Sequence, residues 1–458
     1  MAMVKMRIDS ERKAFYKSLT ALVIPIAIQN LLGALVGSAD TLMLGYVGQD
    51  ELAAVSLANQ YMFILWGVFF GINSAATLMN AQYWGKGDLK AIQAIFGIAL
   101  KICLGVTLAV AIGCTLFPRE LMTLYTDDKT LIEIGVTYLR AVGASYFFMS
   151  FGQAYMCTLR SVERAKESTI ISTITVLLNV GLNAVFIFGL FGAPKMGVLG
   201  VAVATFIARI VEFIICVADY LKGTIFKPDF GLLLGSHKEL RRDFIKYAGP
   251  ALANDLIWTL AFSTYSIILG HLNNDMVAAA SVATTIRDLF TTICFGISSG
   301  GTVILGKDLG SNQLELAKKD AKSLCRIVFI FVVALATVMV IIRHPIMNLF
   351  SLTDRAYGYL DIMMIISSYY VIGQAMNTLW IAGIFRSGGN TKFGLYCDII
   401  TMWCVSVPLG FLAAFVFKLP PMVIYFLLCM DEFWKMPVVI RYYKSGKWMN
   451  NITRDSVV

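Results

Sequence analysis

The sequence contains twelve apolar segments, each about 20 residues or longer, separated by short polar connections. A helix needs roughly 20 apolar residues to cross a hydrocarbon core of about 30 Å, whereas membrane strands give short alternating stretches. Only 15% of the residues are charged and 58% are hydrophobic, which excludes a water-soluble protein. We therefore predict an all-α polytopic membrane protein with spans at about 19–44, 52–79, 92–117, 131–159, 169–191, 198–221, 249–272, 276–305, 323–342, 358–384, 393–417 and 421–440.

Positive charge alternates between successive connections. Of the 38 Lys and Arg residues, 27 lie in the N-terminus, every second connection and the C-terminal tail, and six lie in the opposite connections. By the positive-inside rule, both termini are expected to be cytoplasmic. The net charge of +9 is then a consequence of topology, and no nucleic-acid partner is expected.

The two halves of the sequence resemble each other at an offset of 225 residues. Matched pairs include Pro25 with Pro250, Asp50 with Asp275, and the Phe-Gly-Ile tripeptides that begin at Phe70 and Phe295. An even number of spans per half gives both halves the same orientation, a parallel repeat about a pseudo-two-fold axis along the membrane normal. We predict a lobe at 1–222 (spans 1–6), a cytoplasmic linker at 223–246 and a lobe at 247–458 (spans 7–12), with a central cleft suited to alternating access.

Ionisable residues inside the spans are candidate functional groups, because a charge at mid-bilayer costs roughly 2.5–3.5 kcal/mol on insertion scales. They are Asp40, Asp255, Asp398 and the dipeptide Arg287-Asp288. The alternative is a structural role, in which the acid pairs with an Arg or lies close enough to the lipid headgroups to stay hydrated. The repeat places Asn30 opposite Asp255 and Tyr265 opposite Asp40, so the acids are not equivalent in the two halves.

A cation site is predicted around Asp40. Asn179 and Asn183 are four residues apart and share one face of the fifth span, and Thr205 lies in the sixth. Their amide and hydroxyl oxygens could join the Asp40 carboxylate in a Na⁺ site or a proton relay. The alternative is that these polar residues only hold helices together.

The second half offers further candidates for coupling or substrate binding. Asp255 could bind the coupling cation, and Asp398, Arg287 and Gln374 could contact either ion or substrate. The many aromatic and Met residues could line an adaptable apolar cavity, in which cationic compounds would meet aromatic faces and carboxylates. The alternative for most of these aromatic and Met residues is that they only fill space between packed helices.

No motif indicates an enzyme or a cofactor. The nine cysteines contain no CxxC pair, the three histidines are scattered, and neither a His-Glu-x-x-His motif nor a nucleotide-binding loop is present. No cofactor is expected beyond Na⁺ or H⁺ as coupling ion. One alternative function is a flippase for a lipid-linked precursor, which would need a more basic cavity. A channel or a membrane-embedded enzyme is an alternative of a different class.

Taken together, these residues resemble the multidrug and toxic compound extrusion (MATE) family over nearly the whole chain. The resemblance rests on Pro25, Ala39–Gly45 and Leu52–Ser56 in the first half. In the second half it rests on Gly249-Pro250, Asn254-Asp255, Trp258, Val277–Ser281, Arg386–Thr391, Trp403 and Pro408.

The resemblance implies twelve helices in two lobes around an outward-open cleft, and Na⁺- or H⁺-coupled export of drug-like, often cationic compounds. Relatives use a first-span acid, here Asp40, with fifth-span residues, here Asn179 and Asn183, and a sixth-span Thr, here Thr205. Some have an acid at the position of Asn183, and others use a seventh-span Glu, where this chain has the shorter Asp255. We expect a monomer in a bacterial cytoplasmic membrane, with small organic substrates and the bilayer as partners.

Overall fold

The computed structural model describes residues 2–348, 350 and 352–455, apart from the side chains of residues 2–12, 14, 34–36, 38 and 39. No strand occurs in this part of the chain, so the all-α prediction is confirmed. The predicted spans correspond to twelve helical segments: α1 Ala2–Val47, α2 Gln49–Lys86, α3 Leu89–Leu116, α4 Lys129–Gly143 with Ser145–Ser161, α5 Ala165–Phe188, α6 Val198–Leu221, α7 Lys238–Gly270, α8 Asn274–Gly310, α9 Leu314–Ile341, α10 Asp354–Thr378 with Leu379–Phe385, α11 Thr391–Val416 and α12 Pro421–Leu428 with Asp431–Ser445.

Within the described residues, nine of the twelve segments are long and apolar enough to cross a membrane as single helices. The other three are α4, α10 and α12. Their sequences show why each of them falls short of a single long apolar helix. α4 is interrupted at Ala144, and α12 is interrupted before Asp431 and then carries five charged residues, three of them in the first five positions of its second helix. α10 contains a run of buried polar side chains: Ser367, Ser368, Gln374 and Asn377. The polar character of α10 and α12 anticipates the buried cluster described below.

Side-chain caps mark where several helices begin. The Asp88 carboxylate accepts a hydrogen bond from the backbone N–H of Ala91 at the start of α3. Asp128 caps α4 in the same way, Asn273 caps α8, and Thr353 caps α10. Such caps satisfy N–H groups that have no partner inside the helix, a requirement that is strict near a membrane.

The described chain folds as two compact units. The first unit contains Ile24–Ile245 together with Arg454 and Asp455, and the second contains residues 2–23 and Lys246–Thr453. Helices α2–α6 therefore belong to the first unit, and α8–α12 belong to the second.

Two helices of the second unit depart from α-helical hydrogen bonding. Leu379–Phe385 of α10, and Ile399–Ser406 and Leu412–Val416 of α11, are π-helical. A π-helical turn widens the helix and redirects the side chains that follow it, and such turns occur often at functional sites. The π-helical turn of α10 immediately precedes Arg386, and the first π-helical turn of α11 immediately follows Asp398. Both of these ionisable residues are buried.

The chain after α12 packs closely on the turn between α10 and α11 at Gly388. A Cβ atom there would overlap the backbone carbonyl oxygen of Trp448, whereas a Cβ at Gly249 of α7 would meet no atom within 4 Å. We predict that Gly388→Ala lowers the free energy of unfolding by roughly 1–3 kcal/mol. Gly249→Ala, the matched control, should leave it unchanged or raise it slightly. Thermal unfolding of the purified protein measures both, and equal melting temperatures for the two variants would contradict the close packing.

Candidate functional site

In the first unit, three helices supply the residues of the predicted cation site. Asp40 lies on α1, Asn179 and Asn183 lie on α5, and Thr205 lies on α6. Helices α5 and α6 approach closely because Gly200 has no side chain: a Cβ there would come within 2.8 Å of Phe186 Cβ. This approach places Thr205 opposite the Asn face of α5.

The four side chains form a continuous hydrogen-bonded chain. The Asn183 amide donates to Asp40 Oδ1 at 2.6 Å, and it also contacts Asn179 Oδ1 at 3.4 Å. The Asn179 amide in turn donates to Thr205 Oγ1 at 3.3 Å. The structure therefore brings together the four residues that the sequence singles out, and Asp40 reaches Asn183 across 143 residues of sequence.

The chemistry of this first-unit site suits a small hard cation or a proton. Asn183 is fully buried, and its Oδ1 atom has no hydrogen-bond partner. That oxygen, the Asp40 carboxylate and the Thr205 hydroxyl are the ligand types that hard cations prefer. In the described part of the chain, no group of three or more His, Cys, Asp or Glu side chains is placed to hold a metal ion.

Asp255 lies in the second unit, beside Arg386. Its Oδ1 is 3.4 Å from Nη2 of Arg386, and its Oδ2 is buried without a hydrogen-bond partner. The same Arg386 nitrogen donates to Asn254 Oδ1 at 3.1 Å. The sequence analysis assigns Arg386 to a basic cytoplasmic connection; in the structure it is buried and paired with Asp255.

Asp398 belongs to a buried ionic network in the same unit. Lys435 Nζ lies 2.8 Å from Asp398 Oδ1 and 3.1 Å from Glu432 Oε1, so one ammonium group bridges two carboxylates. The remaining oxygens are also satisfied: Asn254 donates to Asp398 Oδ2 at 2.6 Å, and Asn377 donates to Glu432 Oε2 at 2.8 Å. Helices α7, α10, α11 and α12 are thereby joined through polar side chains.

Arg287 lies away from that network, at a cavity of about 350 Å³ in the second unit. Its guanidinium carbon is 5.1 Å from the ring centroids of both Phe262 and Tyr370, which cover its two faces. The acid that it contacts, at 3.3 Å, is Asp288, whose side chain is 60% exposed. Tyr265, Tyr425 and Cys429 complete much of the wall. This cavity has the size and aromatic lining of a small-molecule site.

Gln374 is buried in α10, and its amide oxygen has no hydrogen-bond partner. Among the described residues, no hydrogen bond joins it to Asp398 or to Arg287, so the three second-half candidates do not form one site.

The sequence analysis missed Glu432 and Lys435; they pair with each other, and Lys435 also pairs with Asp398. A signal was present, since Asp431, Glu432 and Lys435 put three charges into an otherwise apolar predicted span. A second missed pair is Arg209 with Glu212 on α6, whose side chains meet at 2.7 Å with Glu212 almost fully buried. Their spacing of three residues on one helix could have predicted that pair.

The fold and its buried polar sites define an integral membrane protein of the transporter class. A sequence model of the MatE family matches residues 25–185 and 250–412, one match in each half of the chain. The chain therefore belongs to the multidrug and toxic compound extrusion family, as the resemblance indicates.

Individual relatives cover nearly the full length. The chain is 24% identical over 433 residues to the uncharacterized transporter YisQ of Bacillus subtilis, covering 94% of this chain and 95% of that protein. It is 23% identical over 454 residues to the probable multidrug resistance protein NorM of Thermotoga maritima, covering 96% and 95%. A solved outward-facing structure of a multidrug resistance MATE family transporter has the same fold, with a TM-score of 0.83, 18% identity and coverage of 94% and 95%.

The bridging role of Lys435 predicts a large effect on stability. Lys435→Met should lower the free energy of unfolding by roughly 3–5 kcal/mol, because it leaves Asp398 and Glu432 buried without their common cation. Lys318→Met, on the exposed face of α9, should change it little. Thermal unfolding in detergent compares the two, and a Lys435→Met protein as stable as the control would show that the network contributes nothing to folding.

Proposed function

We propose that this chain is a secondary antiporter that exports organic, cationic or amphipathic compounds across a bacterial cytoplasmic membrane in exchange for Na⁺ or H⁺. The observation that carries the proposal is the hydrogen-bonded chain of Asp40, Asn183, Asn179 and Thr205. Membership of the MatE family and relatives described as multidrug resistance proteins support the transport part of it.

The coupling step is proposed to take place at Asp40. Its carboxylate is half-buried and accepts a hydrogen bond from the Asn183 amide at 2.6 Å. Binding of Na⁺ or H⁺ neutralises the carboxylate and weakens its need for that donor. The helices α1 and α5 that carry the two side chains are then free to change their packing, which links cation binding to a conformational change.

The substrate is proposed to be bound largely by apolar and aromatic surface. The cavity beside Arg287 has the volume of a small-molecule site, and its walls combine Phe and Tyr rings with Ser, Thr and aliphatic side chains. Aromatic faces attract organic cations as well as neutral rings, which fits a broad range of amphipathic substrates. The proposed orientation, with both termini cytoplasmic, rests on the distribution of Lys and Arg along the sequence.

Asp40→Asn is predicted to abolish ion-driven efflux without loss of expression, because the amide side chain keeps the size of Asp40 but cannot carry the negative charge that binds the cation. The measurement is efflux of a fluorescent cationic dye such as ethidium from vesicles with an imposed Na⁺ gradient or an imposed proton gradient.

Asp50→Asn, which changes an exposed acid of the same unit, is the matched control and should transport like the wild type. Wild-type rates in Asp40→Asn would refute the role of Asp40. A wild-type protein that responds to neither gradient would refute antiport itself, and a response to one gradient alone identifies the coupling ion.

Asn183→Leu is predicted to raise the Na⁺ concentration needed for half-maximal efflux by about tenfold or more, because it removes a buried oxygen ligand worth of the order of 1.4 kcal/mol or more. It also removes the charge-assisted hydrogen bond that stabilises the ionised form of Asp40, so in a proton-coupled transporter the proton concentration needed for half-maximal efflux falls instead. The dependence of efflux rate on external Na⁺ and on external pH measures this shift. An unchanged half-maximal concentration would mean that Asn183 only packs α5 against its neighbours.

A further inference from the structure

A buried acid that plays no part in the proposed coupling step lies at the start of the second helix of α12. Asp431 is fully buried, with 0% of its surface exposed, and neither of its carboxyl oxygens has a hydrogen-bond partner. The backbone N–H of Glu432 lies near the carboxyl group without forming a hydrogen bond of normal geometry. Buried carboxyl groups almost always have donors, so this isolation needs an explanation.

Three charged side chains lie close enough to Asp431 to interact with it electrostatically: Glu432, Lys435 and Asp398. Two of these are acids whose oxygens are already occupied. Asp398 accepts from Lys435 and Asn254, and Glu432 accepts from Lys435 and Asn377. Lys435 already bridges these two acids, and no hydrogen bond or ion pair joins it to Asp431 in the described structure.

The other titratable groups that face Asp431 are neutral phenols and a thiol. They are Tyr265 on α7, Tyr370 on α10 and Cys429 in the turn between the two helices of α12. Arg287 on α8 lies over the Tyr370 ring, and the acid that it contacts is the half-exposed Asp288. Arg386 contacts Asp255.

The local charges therefore do not balance when every acid is ionised. Lys435 supplies one positive charge to three carboxyl groups, those of Asp398, Glu432 and Asp431. An ionised carboxylate that is buried without a donor or a counterion is strongly unfavourable, and such groups are normally neutralised. A bound cation has to supply the missing positive charge.

A proton meets this requirement better than a metal ion does. Na⁺ needs several oxygen ligands at once, whereas no hydrogen-bonding group is held against the Asp431 oxygens in the described structure. In the same described residues, no group of three or more His, Cys, Asp or Glu side chains could hold a metal ion. A proton needs only the one carboxyl group, and the cluster then holds two negative charges around Lys435.

We propose that Asp431 is the centre of an exchangeable proton-binding site in the second unit, separate from the first-unit site at Asp40. Asp431 takes up and releases one proton, while the bridged acids Asp398 and Glu432 remain paired with Lys435. The site goes beyond the proposed coupling step, since it requires neither Asp40 nor a transported compound. In a working transporter it supplies a second place at which the membrane pH gradient acts on the protein.

Infrared difference spectroscopy of the purified full-length protein in lipid nanodiscs tests the proposal directly. A carboxyl group that gains a proton gains a C=O stretching band, which carboxylates lack. We expect the acid-minus-alkaline difference spectrum of the wild type to contain a component that Asp431→Asn removes. Asp288→Asn, which removes a half-exposed acid of the same unit, should retain it. Asp431→Glu should restore a band at a shifted frequency.

In deuterated buffer the same component should move to lower frequency, which shows that its proton exchanges with water. A difference spectrum in which Asp431→Asn loses no C=O component would overturn the proposal. So would a component that NaCl removes at constant pH, because the site would then bind sodium. Asp431→Glu keeps the test decisive if the Asn variant is poorly folded, since it retains a carboxyl group whose band must appear.

This experiment uses neither a gradient nor a dye, so its outcome is independent of the proposed antiport. A protein with the Asp431 band but without dye efflux would refute the proposed function alone. A protein with dye efflux that depends on Asp40 but without the band would refute only the second proton site.

Discussion

The structure depends on the requirement that polar groups inside a membrane find their partners within the protein. The backbone meets this requirement by forming helices along almost all of the described chain. Charged side chains meet it by pairing, as Lys435 does with Asp398 at 2.8 Å and Arg209 does with Glu212 at 2.7 Å. Two of the buried or half-buried acids, Asp40 and Asp431, form no ion pair in the described part of the chain, and these are the acids to which we assign cation binding.

The two units solve this problem differently, although they derive from one repeated sequence. The first unit places Asp40 beside two amides and a hydroxyl and provides it with no ion pair among the described residues, which is why we assign cation coupling to it. The second unit buries several acids and neutralises most of them with Lys435 and Arg386. The repeat preserves residues that shape helices, such as Pro25 and Pro250, whereas the polar residues of the two halves have diverged. A common scaffold therefore supports two distinct electrostatic environments.

Local signals in the sequence predicted the helices and the first-unit site. Hydropathy needs only a window of about 20 residues to predict a span, and the spacing of Asn179 and Asn183 predicts a shared helix face. The second-unit network could not be predicted in this way. Asn254 and Asp398 are 144 residues apart, and their contact depends on how α7 and α11 pack. The charges of Asp431, Glu432 and Lys435 signalled a buried polar cluster, but its partners were visible only in the structure.

The central claim is that movement of an organic compound is tied to movement of a cation through Asp40. Counterflow tests it most directly: vesicles containing the protein are given an ethidium gradient and no ion gradient, and uptake of radioactive sodium and change in internal pH are followed together. We predict that the dye gradient drives Na⁺ or H⁺ in the opposite direction in the wild type and does not do so in Asp40→Asn. Dye movement by the wild type without any cation counterflow would contradict the account.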